Sequence, residues 1–309
     1  MKLSAEEIRA VLDEKIGQDD VIADHDHTGH YYKYVPTGER FASVTTRNSI
    51  LDSPHLKKWS AGLAVDHIDK HWEEVSENGG VSSDLKKAAL MAHEDVLQDA
   101  GGCGTAGHEI IERYLLSWME NDKQPEDITK FITGEDSRLY AIARSALQFI
   151  DDFEAVPIAS EMFVVNQKDG YAGTLDVLMM ITKITKNGKC DKHTWWTSTS
   201  GKMSCECGAK AKRVFALVDW KSSNSLSKPE YAMQASAYWY ALWRMTGLRP
   251  EETIIVRLDK FQKKYEVVRV LDRVKAFNAF KQVAKVHDWL YSGESKTVPY
   301  TLKKQVFLD

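Results

Sequence analysis

The central strands of the fold are expected in two stretches, Gly170-Tyr-Ala-Gly-Thr-Leu-Asp-Val-Leu-Met-Met-Ile181 and Val214-Phe-Ala-Leu-Val-Asp-Trp-Lys-Ser-Ser223. Each is a short apolar run rich in residues that favour strands, which predicts a buried strand. Each also carries an aspartate, and burying a carboxylate is costly unless its charge has a partner. Because side chains alternate along a strand, Asp219 and Lys221 should share one face and Trp220 should lie on the other.

If these two strands are neighbours, Asp176, Asp219 and Lys221 converge at one end of the sheet. Two carboxylates beside a lysine suit a hard divalent cation with a positioned positive charge next to it. A buried ion pair between an aspartate and the lysine explains the same three residues without a metal. The surrounding motifs favour the metal site.

Further motifs accompany the two strands in a fixed order. Gly104-Thr-Ala-Gly-His108 lies upstream, Gly-x-x-Asp ends at Asp176, Asp-x-Lys ends at Lys221, and Gln234-x-x-x-Tyr238 follows on a predicted helix. This order resembles the RecB-like branch of the PD-(D/E)XK nucleases over roughly residues 100 to 270. Ser43-Val-Thr-Thr46, followed by a helix that carries tryptophan, is similar to the front end of phage-encoded members.

The resemblance implies an α/β fold with a PD-(D/E)XK (restriction-endonuclease-like) core, in which helices flank a central mixed sheet. It also implies a magnesium site, with manganese able to substitute, and the zinc inferred below from cysteine and histidine spacing would be structural and separate. Lys221, with a pKa lowered by burial and metal, would orient and help to deprotonate the attacking water. Gln234 would position Lys221 or the strand, and Tyr238 would contact the DNA backbone. The implied magnesium ligands are His108, Asp176, Asp219 and the backbone carbonyl of Trp220.

Two acidic residues, Glu161 and Glu112, each have two possible assignments from the sequence. Glu161 lies on a strand predicted from Val156 to Val165, and in relatives an acid at this place serves a second metal or the DNA side of the site. A glutamate that faces solvent explains the residue equally well. His108 and Glu112 are four residues apart and share a helix face. Glu112 is expected to form an ion pair. His108, if it stood without the other motifs, would be assigned to the core.

Residues 182–213 interrupt the two central strands and predict an inserted, zinc-finger-like hairpin. Cys190-Asp-Lys-His193 and Cys205-Glu-Cys207-Gly208 offer four ligands on two tight turns, which suits tetrahedral zinc. A segment this short is too small to bury a core of its own, so the metal would be structural. Three reduced thiols in a loop are the alternative without metal, and an iron–sulfur cluster that also uses Cys103 is the alternative with another metal.

Composition limits the class of protein. The 309 residues are 43% hydrophobic and carry a formal net charge of −4, which argues against a purely electrostatic DNA coat. The N-terminal segment is too acidic and polar for a signal peptide, and no apolar run reaches the length of a membrane span. Four cysteines, three of them clustered, in a chain without an export signal indicate metal binding before disulfides, so we expect a cytoplasmic protein of a bacterial or phage-infected cell.

The expected organisation is an N-terminal hairpin and helical region over residues 1–100, followed by the nuclease core over residues 101–309. The hairpin should join residues 30–35 to residues 40–46, and the polar residues 24–27 before it should be a solvated loop. One helix should end near Glu74, and another should begin near Ser83 and stop at Gly101 and Gly102. Thr105 would then cap the helix that carries His108.

The predicted function is a metal-dependent DNA exonuclease of phage recombination, replication or repair. The same core also serves structure-specific or sequence-specific endonucleases, and a DNA-end-binding module without catalysis is a third class. The intact Asp-x-Lys pair argues against that third class. Linear DNA ends are the expected partner, with a single-strand annealing protein or a helicase as a candidate protein partner and no membrane.

Overall fold

An eight-stranded mixed sheet forms the centre of the molecule. The computed structural model describes residues 3–17, 20–27, 29–51, 54–185, 210–226 and 229–291. The strands are β1 (Val21–Asp26), β2 (Gly29–Tyr34), β3 (Glu39–Ser43), β4 (Val156–Asn166), β5 (Tyr171–Thr185), β6 (Lys210–Lys221), β7 (Glu252–Leu258) and β8 (Tyr265–Arg269). The helices are α1 (Ala5–Lys15), α2 (Val44–Asn48), α3 (Pro54–Lys70), α4 (Trp72–Glu77), α5 (Ser83–Asn121), α6 (Ser137–Asp152), α7 (Pro229–Thr246) and α8 (Arg273–Tyr291), with a 3₁₀ helix at Ile128–Phe131.

The strands follow the spatial order β1-β2-β3-β5-β6-β7-β8, and β4 pairs with β5 off this path. The β3–β5 and β6–β7 pairs are parallel, and the other pairs are antiparallel. Helices cover both faces. The predicted α/β architecture, a central mixed sheet flanked by helices, is therefore confirmed at this level.

One edge of β5 is divided between two partners. The divided edge pairs with β3 at Tyr171 and Ala172 and with β6 from Val177 onward. The opposite edge of β5 pairs with β4. Residues 173–176 lie between the pairings with β3 and β6. The Gly-x-x-Asp motif therefore lies where this edge of β5 has no strand partner, and the Tyr238 ring packs against Gly173 there.

The two larger of the three apolar cores in the described residues lie on opposite faces of the sheet, as alternating side chains require. On one face α5 and α6 pack on the sheet, and Phe149, Phe153 and Trp220 are among the buried residues. On the other face α1, α7 and α8 pack around Tyr171, Leu217 and Phe280. The alternation along β6 thus assigns Trp220 and Leu217 to different cores.

Helix α5 runs without a break through the two glycines that were expected to end a helix. Its N-cap, Ser82, accepts a hydrogen bond from the Leu85 N–H, and its C-cap, Asp122, has a left-handed backbone with φ of 47°. The expected stop at Gly101 and Gly102 and the cap at Thr105 are wrong. A pair of helix-interior glycines costs only about 1–2 kcal/mol relative to alanine, which the packing of the rest of a 39-residue helix outweighs.

We predict that Gly101→Ala and Gly102→Ala together stabilise the protein by about 1–2 kcal/mol. Both glycines are exposed, and an added Cβ at either position meets no atom within 4 Å. Urea denaturation followed by circular dichroism is the measurement. A lower unfolding midpoint in the double variant would show that the helix is broken at this point.

The N-terminal strands belong to the same sheet as the rest of the chain. The predicted hairpin is present as β2 and β3, but residues 24–26, expected in a solvated loop, lie on β1. Arg40 pairs with Asp24 and Asp26 at 2.7 Å each, which holds this edge together. The proposed division near residue 100 falls inside α5. Among the described residues, no helix is both long and apolar enough to cross a membrane.

Candidate active site

The two predicted aspartates lie opposite each other where β6 ends. Val177 of β5 pairs with Val218 of β6, so Asp176 and Asp219 are the next residues along these antiparallel strands. Oδ2 of Asp176 accepts a hydrogen bond of 2.6 Å from the Trp220 backbone N–H. This bond holds the Asp176 carboxylate against the end of β6.

Asp219 and Lys221 form a buried ion pair at this point. Lys221 Nζ lies 2.5 Å from Asp219 Oδ2, and the two side chains are 15% and 1% exposed, respectively. Trp220 points to the other face, where its ring meets Phe149 edge-on with the centroids 5.2 Å apart. The predicted alternation is confirmed, and the ion pair proposed as the alternative to a metal site is present beside Asp176.

The site holds more negative charge than its single lysine neutralises. Burial raises the pKa of Asp219 to about 6; Lys221 opposes this shift, and Asp176 adds to it. Burial also raises the pKa of Asp176. Burial lowers the pKa of Lys221, but Asp219 and Asp176 raise it by more, so the net shift is upward. Two carboxylates thus stabilise its ammonium form here, and the lowered pKa expected for Lys221 beside a bound metal ion stays a prediction.

The Asp219 carboxylate has unused acceptor capacity. Its two oxygens are buried, and beyond the ion pair neither accepts a hydrogen bond from a described residue. Leaving a buried acceptor unsatisfied costs about 1–3 kcal/mol, and more for a charged group. A hard cation bound by carboxylate oxygens would satisfy Asp219, so the residues present fit magnesium or manganese.

His108, Glu161 and Asp176 could together hold a metal ion. One potential ligand atom from each lies within 4.8 Å of the other two, and His108 Nδ1 is 3.9 Å from Asp176 Oδ2. Burial, followed by the charge of Lys221, lowers the pKa of His108 to about 4. His108 is therefore neutral at pH 7, which is the state in which imidazole binds a metal.

Glu161 joins the site through an unusual backbone. Its φ is 48°, in the left-handed region that non-glycine residues rarely adopt, and the β4–β5 ladder skips it opposite Asp176. Burial, followed by the charges of Asp176 and Glu112, raises its pKa to about 8. Backbone strain of this kind costs about 1–3 kcal/mol and concentrates at functional sites. The geometry therefore places Glu161 beside His108 and Asp176, with its side chain also open to solvent.

Two glycines of the Gly-Thr-Ala-Gly-His motif bring α5 close to the site. A Cβ on Gly104 would lie 2.6 Å from Oγ of Ser222, the residue after β6, and one on Gly107 would lie 2.9 Å from Ile142 of α6. A larger residue at Gly107 would push α5 away from the branched side chain of Ile142, whereas at Gly104 the Ser222 hydroxyl could rotate away. Because His108 follows directly, this close approach is what delivers its imidazole to the carboxylates.

Gln234 and Tyr238 form a pair behind the carboxylates. Gln234 Nε2 donates a hydrogen bond of 3.2 Å to Tyr238 Oη. Tyr238 is 4% exposed, and a Cβ on Gly173 would lie 2.5 Å from its ring. Here Tyr238 packs on the Gly-x-x-Asp segment and Gln234 contacts Tyr238, so the contacts expected with DNA and with Lys221 stay predictions.

A cleft of about 320 Å³ opens from the metal-ligand group to solvent and includes residues that the sequence did not assign to the site. Glu112, expected in an ion pair, makes none with a described residue; burial, followed by Glu109, raises its pKa. The i, i+4 spacing from His108 to Glu112 was the available signal. The lining residues are Gly104, Thr105, His108, Glu109, Glu112 and Glu161.

The predicted zinc ligands Cys190, His193, Cys205 and Cys207 lie outside the described residues. The structure does describe the strands on both sides, since β5 and β6 continue their pairing to Thr185 and Lys210. Cys103, the additional ligand in the iron–sulfur alternative, is a buried free thiol whose pKa is raised, mainly by burial.

Two comparisons with known proteins were made to identify relatives of the chain. Neither a scan against protein-family models nor a search of curated proteins finds a match to the chain. The functional assignment therefore depends on the geometry of the site and on the resemblance of its motifs.

Proposed function

We propose that this protein is a metal-dependent nuclease that hydrolyses phosphodiester bonds from DNA ends. The observation that carries the proposal is a single constellation at the end of β6. A neutral histidine and two acids that could hold a metal lie beside a buried aspartate with unused acceptors and its paired lysine. An ion pair with only a structural role does not account for the left-handed Glu161 or for the glycines that bring His108 close.

Each residue would have a defined role. Asp176, Asp219, His108 and the Trp220 carbonyl would hold magnesium or manganese, with Glu161 as a further ligand on the open side of the site. When bound, such an ion supplies charge neutralisation at the phosphate and acidifies water. Lys221 donates hydrogen bonds that orient the attacking water and stabilise negative charge on the phosphate. The Gln234–Tyr238 pair keeps the Asp176 segment in place.

A digestion assay with four DNA substrates tests the proposal. The purified protein is incubated with magnesium and linear or covalently closed DNA, each single-stranded or double-stranded. We expect degradation of linear DNA and survival of the circles. Cleavage of relaxed closed circles at the rate of linear DNA would identify an endonuclease, and no cleavage with either magnesium or manganese would leave a DNA-end-binding module.

Metal binding should tighten as the pH rises from 6 to 8. The pKa of Glu161 is raised to about 8, so below that pH its carboxyl is mostly protonated and must lose the proton to bind a cation. Isothermal titration with magnesium in buffers of different ionisation enthalpy should show release of about one proton near pH 7. Glu161→Gln should remove most of this proton release. An affinity that is flat over this range in the unaltered protein would contradict the assignment.

The same proposal includes structural zinc at Cys190, His193, Cys205 and Cys207, with the iron–sulfur cluster as its competitor. Elemental analysis of protein purified without added metal distinguishes the two, since a cluster would bring iron and a brown colour. A single-strand annealing protein or a helicase remains the proposed protein partner for an end-directed enzyme.

A further inference from the structure

The turn between β7 and β8, residues 259–264, displays an aromatic ring among lysines. Its sequence is Asp-Lys-Phe-Gln-Lys-Lys, and the Phe261 side chain is 78% exposed. Exposing a phenylalanine to this extent forgoes the free energy that its burial would supply, about 1.5–3 kcal/mol. We refer to residues 259–264 as the lysine turn.

The lysine turn is held in shape by its own hydrogen bonds. Asp259 Oδ1 accepts from the backbone N–H groups of Phe261 and Gln262, both at 2.8 Å. Arg257 Nη1 in turn donates to Asp259 Oδ2 at 3.2 Å, and the Asp259 N–H donates to the Lys264 carbonyl at 3.0 Å. A ring presented on a pre-formed turn loses little conformational entropy when it binds a partner.

The lysine turn lies at the same end of the sheet as the candidate active site. Lys221 pairs with Arg257 on the adjacent parallel strand, and four further residues lead to Phe261, a reach of at most about 14 Å. Lys260 Nζ also donates at 3.1 Å to the carbonyl of Ala100 on α5, eight residues, or about 12 Å along the helix, before His108. A strand of a few nucleotides would span the distance between the lysine turn and the candidate active site.

The charges around the lysine turn favour an anionic partner. The nearby acids are already paired: Arg257 binds Asp259 and Glu266, and Arg138 binds Asp99 and Asp136. Lys263 and Lys264, by contrast, form no ion pair with any described residue. The lysine turn itself, with three lysines and one aspartate, carries a net charge of +2, although the chain as a whole is acidic.

We propose that the lysine turn binds unpaired DNA beside the active site, with Phe261 stacked on a base and Lys263 and Lys264 at the phosphates. Stacking on an aromatic ring tolerates any sequence, as an end-directed nuclease requires, and lysines supply the salt-dependent phosphate contacts. This inference rests on the proposed nuclease function, and it adds that the unpaired strand is the form of substrate held at this turn.

Fluorescence anisotropy with a labelled single-stranded 20-nucleotide DNA and a blunt duplex, in buffer without added magnesium or manganese, is the test. Phe261→Ala should weaken binding of the single strand about tenfold, while Phe261→Trp preserves it. Lys263→Gln together with Lys264→Gln should make the plot of log affinity against log salt concentration less steep, reducing the magnitude of its slope by about 1.4. Leu271→Ala and Lys275→Ala are matched controls, because both residues are exposed near the other end of the β7–β8 hairpin.

The outcomes separate this inference from the nuclease proposal. If the unaltered protein cleaves DNA but Phe261→Ala binds the single strand as tightly as Leu271→Ala does, the inference is overturned and the nuclease proposal stands. Equal losses on single strand and duplex would likewise overturn the stacking role. A Phe261-dependent preference for the single strand without cleavage would support the inference and refute the nuclease proposal. If no DNA binds at all, both are refuted.

Discussion

Asp219→Asn should reduce the rate of DNA cleavage by about a hundredfold to a thousandfold while the protein stays folded and still binds DNA. Asparagine matches the shape of aspartate but removes the charge that a divalent cation needs. The substitution also takes away a buried carboxylate whose pKa burial raises to about 6, which relieves a cost present at neutral pH. Single-turnover cleavage of an end-labelled linear duplex in excess magnesium is the measurement.

Lys221→Met should give a similar loss through a different cause. It removes the group that would orient the water and stabilise charge, and it leaves Asp219 and Asp176 without their counter-charge. Lys221→Arg should not restore full activity, because a guanidinium does not occupy the position of a compact ammonium. Lys275→Ala is the control for removal of a lysine. Near-normal cleavage by both Asp219→Asn and Lys221→Met would rule out this active site.

Circular dichroism and thermal unfolding distinguish lost chemistry from lost structure. Removing one member of a buried pair often destabilises a protein by several kcal/mol, so a lower melting temperature is expected for Lys221→Met. Asp219→Asn should be milder, since Lys221 keeps Asp176 as a neighbour. Asp219→Asn is therefore the more informative variant, because it should lose cleavage activity while keeping most of its stability.

The sequence predicts the central sheet well because its signals there are local and agree with one another. The alternation of Asp219, Trp220 and Lys221 requires only that the segment be a strand, and the structure places them accordingly. The predicted helix that carries Gln234 and Tyr238 is likewise present as α7. At these points strand or helix propensity and burial favour the same structure.

Other features depend on contacts between distant segments. The glycines at Gly101 and Gly102 have the local signature of a helix end, but the packing of α5 along its length overrides it. Nothing in the sequence around Glu161 indicates a left-handed backbone. That conformation occurs where β4 lies opposite Asp176 of β5, which is a contact between separate strands. The division of the β5 edge between β3 and β6 likewise depends on two strands far apart in the chain.

Gly173→Ala should destabilise the protein by about 1–3 kcal/mol and reduce cleavage as well. The added Cβ would lie 2.5 Å from the Tyr238 ring, which is buried and tied to Gln234, so neither the ring nor the strand moves without cost. Because Gly173 is three residues before Asp176, a shift here displaces the carboxylate. Urea denaturation and the cleavage assay report the two effects separately. Gly62→Ala is the control, since a Cβ there meets no atom within 4 Å.

A double-mutant cycle with Tyr238→Ala tests whether the clash with the Tyr238 ring causes the destabilisation by Gly173→Ala. Tyr238→Ala alone should cost about 3–5 kcal/mol, because it leaves a cavity where a large aromatic side chain was buried. In that background the ring is gone, so Gly173→Ala should add almost nothing, and the coupling free energy should approach the cost of Gly173→Ala alone. If the cost of Gly173→Ala were the same in both backgrounds, the glycine would be required for its backbone conformation and not for the close approach of Tyr238 to the Asp176 strand.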